Sequence, residues 1–302
     1  MFPDAHDGTS PAMNPSQPAP EPFDRRRRRI RRDRAMAHFE QHGFLTTHIA
    51  DELLGRLELV ERRFTRALVL GAADGQLAAA LRAQGMWVVC ADASFSAARA
   101  MGGVQCDEDR LPFADGAFDL VMSAGVLDSV NDLPGALVLA RRALKPDGLF
   151  MAGFAGAGSL PRLRAAMLQA DLAGDVGVAP RIHPQVDVRS AGDLLARAGF
   201  ALPVADGEAL EARYRSLDGL LADLRFGAQG AILSGERPRL GRMQAAAAHG
   251  AFLGQADVDG RVSETFEIVY LIGWAPDESQ PRPARRGSAV ASLAAALKSK
   301  PD

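Results

Sequence analysis

The sequence predicts an α/β fold built on a mostly parallel sheet with helices on both faces. Three observations predict it. The apolar run Ala67-Leu68-Val69-Leu70 leads into the turn Gly71-Ala72-Ala73-Asp74-Gly75. A second apolar run, Val88-Val89-Cys90-Ala91, ends on Asp92. Further strand-like runs, Phe118 to Met122 and Leu149-Phe150, then alternate with helical periodicity. Strand, glycine turn, helix, strand and terminal acid make the order of a nucleotide-binding α/β unit.

The elements follow in order. Residues 1–22 are rich in Pro, Ala, Ser and Asp without periodicity, and are predicted to be disordered. Residues 23–64 form a basic arm and N-terminal helices, with eight arginines between Arg25 and Arg34. Across 35–64, Phe39, Leu45, Ile49, Leu53, Leu57 and Val60 recur at three- and four-residue intervals, broken near Gly43. Strands are predicted at about 66–71, 86–91, 118–123 and 148–154, with helices at about 74–84, 94–100 and 133–143. Asn131-Asp132 before Leu133-Pro134 is a helix cap with proline in the first turn. In Lys145-Pro146-Asp147-Gly148, Pro146 sets the turn and Gly148 is expected to take positive φ. Gly153, Gly156 and Gly158 interrupt the alternation. They open a helical cap at about 155–190 that is expected to lie over the carboxyl edge of the sheet. A helix at 190–198, a strand near 200–205, helices at about 216–225 and 238–253, and a last strand Phe266–Trp274 complete a domain over 65–275. Residues 276–302 read as a polar tail.

Bulk properties narrow the function. The chain has 302 residues, 47% of them hydrophobic, enough for a sizeable core. A net charge of -2 argues against a global nucleic-acid binder. The arginine run allows three readings: a solvated helix face, a contact with an anionic membrane or acidic partner, or nucleic-acid binding. No aromatic residues interleave it, which disfavours the last. Cys90 and Cys106 fit no zinc or redox spacing and read as ordinary thiols. No apolar run is long enough to span a bilayer, and the N-terminus does not resemble a secretory signal. A cytoplasmic location follows as the expectation.

Candidate site residues come from the strand ends. Gly71 and Gly75 let the backbone approach a ligand. Asp92 can accept both hydroxyls of a ribose, or cap the helix that starts near Ser94. Asp107 follows a third short strand and is either a base-recognition acid or a solvated loop acid. His38 and His42 stand four apart without a visible third ligand, so no metal site is predicted. His183 sits in the cap where it can face a cleft, and Arg164 can meet an acidic group or pair on the surface. Trp87 and Trp274 read as core.

Leu111-Pro112-Phe113, Phe118-Asp119 and Leu144-Lys145-Pro146-Asp147-Gly148 resemble class I S-adenosylmethionine (SAM) methyltransferases. This Rossmann-like fold implies a seven-stranded sheet. Residues 23–290 as a whole resemble the mitochondrial complex I assembly factors that hydroxylate an arginine of a core subunit, with their alphaproteobacterial relatives. Phe23-Asp24-Arg25, Val130-Asn131-Asp132-Leu133-Pro134, Leu194-Leu195-Ala196-Arg197-Ala198-Gly199-Phe200 and Tyr270-Leu271-Ile272-Gly273-Trp274 carry that likeness. So does the tail from Glu278 to Ala289, which the generic fold lacks. A more distant resemblance is to malonyl-carrier-protein methyltransferases of biotin synthesis.

The resemblance implies SAM as cofactor, held by Gly71, Ala73, Gly75, Asp92, Ala93, Asp107, Glu108 and Ala124. It implies a protein partner from NADH dehydrogenase, and a place at the inner membrane of a bacterium or in the matrix of a eukaryote. It gives no assured catalytic residue; Asp128, His183 and Arg164 are the candidates. The chain departs from the family at Val69, where an acid is usual, at Ala73 in place of a second glycine, and at Asp128-Ser129 in place of His-Trp. Losing one charge-assisted contact weakens binding by about tenfold to a hundredfold. Three functions stay open: a SAM-binding assembly factor acting on a protein subunit, a methyltransferase of a small-molecule or carrier-protein acceptor, and a non-catalytic chaperone on the same fold.

Overall fold

The computed structural model describes residues 21–71, 75–174, 177–235 and 239–281. Most of the predicted disordered stretch, residues 1–20, and most of the predicted tail lie outside them. The chain enters at Phe23, which forms a β-bridge with Leu233. It then forms α1 (Arg25–Ala35), capped by Asp24, whose side chain accepts from the Arg27 amide. After a single 3-10 turn come α2 (Phe39–His42) and α3 (Phe44–Glu58), separated at Gly43.

The α/β unit follows as β1 (Arg66–Leu70), α4 (Gln76–Ala83), β2 (Trp87–Asp92), α5 (Phe95–Ala100), β3 (Val104–Gln105), β4 (Phe118–Ala124), α6 (Leu133–Ala143) and β5 (Leu144–Ala155). Then come α7 (Pro161–Leu172), α8 (Val188–Arg197), β6 (Ala201–Tyr214), α9 (Leu217–Phe226), α10 (Arg242–Leu253) and β7 (Val262–Trp274). The seven strands order as β3-β2-β1-β4-β5-β7-β6. β1 to β5 pair in parallel, and β7 runs antiparallel between β5 and β6. Residues 67–70 and every residue of β4 are buried, as expected for central strands covered on both faces. One core lies under α3, α4, α7, α9 and α10, the other under α6 and α8. β1 has β2 on one side and β4 on the other, so their connections diverge there and open a crevice at the carboxyl ends.

Local chemistry explains the joints. Asp132 accepts from the Gly135 amide at 2.8 Å and starts α6, with Pro134 in the first turn. Asp119 accepts from the Thr65 and Arg66 amides at 3.0 and 2.8 Å and fixes where β1 begins. α7 has no cap of its own. Glu264 of β7, fully buried, reaches across to accept from the Arg162 and Leu163 amides at 3.0 and 2.7 Å.

Four expectations are corrected. β5 starts at Leu144, so the Lys145–Gly148 turn is absorbed into the strand. There the positive φ, 58°, belongs to Asp147 rather than Gly148; Asp is one of the few side chains that tolerate this region. β6 runs to Tyr214, far beyond 205, because a half-exposed edge strand needs no continuous apolar run. β7 begins at Val262, four residues before Phe266. Trp87 is 55% exposed, with the Arg66 guanidinium 4.8 Å from its ring centroid, so it is not a core residue. Among the described residues, no helix is long and apolar enough to cross a membrane.

Candidate functional site

The crevice is shaped first by backbone. Gly71 ends β1 with φ 80°, and a Cβ there would come within 2.5 Å of the Val126 Cγ1. Gly75 opens α4 with φ 72°, and a Cβ would meet the Met101 sulfur at 2.7 Å. Both positions need glycine for conformation and for space. Ala73, between them, lies outside the described residues. Val69 is fully buried in the core, while Ala93 and Ala124 are buried at the ends of β2 and β4.

The acids gather at this edge. Asp92 ends β2 and is 1% exposed; Asp107 and Glu108 follow β3 and are each 2% exposed. Side chains buried this deeply demand partners, and α1 supplies them. Arg32 meets Asp92 in a bidentate pair, Nε to Oδ1 at 3.0 Å and Nη2 to Oδ2 at 2.6 Å. Arg28 does the same to Glu108 at 2.6 and 3.0 Å, and also donates to the Val126 carbonyl and Ser129 Oγ. Arg29 reaches Asp107 at 2.5 Å, and Arg25 grips Asp109 with two bonds of 2.6 Å. Arg28 and Arg32 are themselves buried. Burial opposes the Arg32 charge, but the charge and hydrogen bonds of Asp92 outweigh it and hold the guanidinium above its ordinary pKa.

The arginine run is therefore not a solvated helix face. Arg25, Arg28, Arg29 and Arg32 stand at i, i+3, i+4 and i+7, which is one stripe of a helix. That spacing was the signal in the sequence, masked by the neighbouring arginines. The other flank is used as well: Arg27 donates to the Leu233 carbonyl at 2.5 Å and Arg31 to that of Ala231. Asp33 accepts from Ser94 Oγ and the Ser96 amide at 2.6 and 3.0 Å, tying α1 to the start of α5. The cap of α5 is Ser94, whose hydroxyl accepts from the Ala97 amide at 3.0 Å; Asp92, the acid expected to be able to cap it, instead steadies Ser94 by accepting from its amide at 2.7 Å.

A cavity of about 50 Å³ lies between α3, the start of α7, the 181–185 segment and the 229–231 segment. Asp128, Arg181, His183, Gln185 and Gln229 line it together with apolar Leu45, Leu163 and Phe266. Asp128 sits in a 3-10 turn after β4, and its Oδ1 is shut from solvent without a hydrogen-bond partner among the described residues. Burial pushes its carboxyl up to about 6, against the pull of Arg28 and Arg32. His183 Nε2 accepts from the Ile232 amide at 2.8 Å, and its ring packs edge-on against Phe23 at 4.9 Å. The structure thus brings Asp128 and His183 to one cavity. Arg164 is not in its lining and donates instead to Gln185 at 3.1 Å. His38 and His42 both pack on Phe226, and no metal-binding cluster exists among the described residues.

The acids, the glycine turns and the crevice fit the chemistry of a SAM site. Two carboxylate oxygens at Asp92 suit a ribose diol, and the backbone at Gly71 and Gly75 allows close approach. Both Asp92 oxygens, however, already accept from Arg32 of α1.

Comparison with known proteins agrees with this architecture. A methyltransferase domain family matches residues 68–152. Mitochondrial arginine-hydroxylase NDUFAF5 of Danio rerio is 33% identical over 285 residues, covering 90% of this chain and 88% of the relative. The malonyl-[acyl-carrier protein] O-methyltransferase of Laribacter hongkongensis is 31% identical over 274 residues, covering 84% of this chain and 90% of that protein. A solved Bacillus halodurans structure described as a methyltransferase superposes with a TM-score of 0.51 at 13% identity, over 75% of this chain and all of that one; it speaks to the fold alone. The chain belongs to the methyltransferase-fold family that contains arginine-hydroxylase NDUFAF5 and, further out, the malonyl-[acyl-carrier protein] O-methyltransferases.

Proposed function

We propose that this protein binds SAM at the carboxyl edge of its sheet and serves the assembly of the respiratory NADH dehydrogenase by acting on one of its protein subunits. The observation that carries the reading is the buried acid set at the ends of β2 and β3, Asp92, Asp107 and Glu108, beside two glycine turns. In this reading Asp92 accepts from the ribose diol, while Asp107 or Glu108 receives the adenine amino group. Bound SAM would supply an activated methyl group. The chain's own contribution is to orient an acceptor and exclude water. The cavity beside the site holds a carboxylate, Asp128, among apolar walls, while the Arg181 charge in the same lining is neutralised by Asp171; that combination suits a cationic protein side chain with an aliphatic stem. The chain-length likeness to a named arginine hydroxylase agrees with arginine as that side chain.

The test is calorimetric titration of the folded protein with SAM, with Asp92→Asn as control. Micromolar binding lost in the variant supports the reading. A companion assay asks whether a strain lacking the gene, which is expected to lose assembled NADH dehydrogenase, is restored by the wild type and not by Asp92→Asn. One observation favours a second reading, a non-catalytic chaperone: Asp92 and Glu108 are already paired with arginines of the same chain. Restoration of assembly by Asp92→Asn, with SAM binding abolished, would select it. A methyltransferase acting on a small molecule or carrier protein would reveal itself instead by turnover with a free acceptor.

A further inference from the structure

We propose that α1 is a displaceable plug of the cofactor site, so that docking of Arg32 on Asp92 and entry of SAM exclude one another. The inference rests on the reading that the site takes SAM. The conflict is over particular atoms. Both Asp92 oxygens accept from Arg32, at 3.0 and 2.6 Å, and these are the oxygens a ribose diol would need. Glu108 is held likewise by Arg28, and Asp107 by Arg29.

The same contacts make the plug removable. The buried residues of α1 are Arg28, Arg32 and Ala35, and its one large apolar side chain, Ile30, is 38% exposed. Hydrophobic burial therefore contributes little to its docking, and charge pairing contributes most. Once undocked, the helix has little reason to persist. Arg25 and Arg29, Arg27 and Arg31, and Arg28 and Arg32 are like charges at i, i+4, which oppose a free helix, and eleven residues is too short to be stable alone. Release thus couples to local unfolding of the arm. A 3-10 turn at Met36–His38 and Gly43 lie between it and the body of the domain. The docked state lowers the apparent affinity for SAM by the fraction of molecules that are undocked.

The experiment uses the full chain. SAM is titrated calorimetrically into wild type, Arg32→Gln and Asp33→Ala; the last loosens α1 from α5 without touching Asp92. Trypsin cleavage within α1 is timed for wild type with and without saturating SAM. Circular dichroism melting confirms that each protein is folded. The expected result is SAM binding about tenfold or more tighter in both variants, together with faster cleavage of α1 in wild type when SAM is present. Equal affinity in all three, with α1 equally protected at saturating SAM, overturns the plug and leaves the cofactor reading standing. No binding of SAM to any of the folded proteins overturns both.

Discussion

Asp92 shows how one side chain can serve several demands: it accepts from the Ser94 amide just before α5, neutralises a buried guanidinium and, on the proposed reading, accepts from a ribose. Asp92→Ala should therefore damage more than ligand affinity. It strands the Arg32 charge in the interior, which costs about 3–5 kcal/mol, and urea denaturation should register a loss of that size. Asp128 carries the opposite tension, a carboxyl pushed up to about 6 by burial. The raised value means that the folded state holds the proton more tightly than the unfolded chain. Its contribution is full below about pH 4 and is lost as pH rises through about 6. Asp128→Asn should hence stabilise the protein at pH 8 and change little at pH 4, measured by thermal melting at both pH values. Among single residues, Asp92, Gly71 and Gly75 were legible because strand ends and tight turns leave few alternatives. The partners of Asp92 were not. A run of eight arginines hides its own periodicity, and only the placed helix reveals that four of them share one face.

At the level of elements, the parallel half of the sheet was readable because fully buried strands are continuous apolar runs. The antiparallel edge was not. β6 has no continuous apolar run: it exposes Leu202 to Val204 together and alternates half-buried and exposed residues only from Asp206 to Arg213, and its length is set by pairing with β7 rather than by its own composition. β7 in turn does more than complete the sheet. Glu264 satisfies two orphan amides at the start of α7, which has no local cap. Glu264→Ala should cost about 2 kcal/mol, and amide exchange of Arg162 and Leu163 should accelerate before that of the rest of α7. Glu264→Gln retains an acceptor and should recover most of the loss.

Taken whole, the molecule is held together across the carboxyl edge of its sheet by the segment that begins at Phe23. Phe23 packs with Ile232 and Leu233, its amide donates to Asn131 at 2.8 Å, and Asn131 returns a bond to its carbonyl at 3.0 Å. Phe23→Ala should loosen this clasp without disturbing the sheet. The expected outcome is faster trypsin cleavage within α1 at unchanged rates of exchange in β4 and β5. Buried pairs are poorly screened by salt, so high ionic strength should release the exposed contacts of Arg25 with Glu21 while Arg28 and Arg32 stay docked. Amide exchange of α1 measured against salt separates the two. The fold class was legible at this scale; the closure of the arm over the crevice was not, since it depends on contacts between segments some 60 to 200 residues apart.

Those separations have a consequence in time. The arginine segment leaves the ribosome early, yet the acids that let it become a helix are made later, and the carbonyls at Ala231 and Leu233 later still. A segment synthesised before these partners is thus among the last to be placed. In refolding from denaturant, a probe on α1 should report its structure in a phase that follows formation of the sheet. Simultaneous appearance of both signals would mean that the helix forms without its acids.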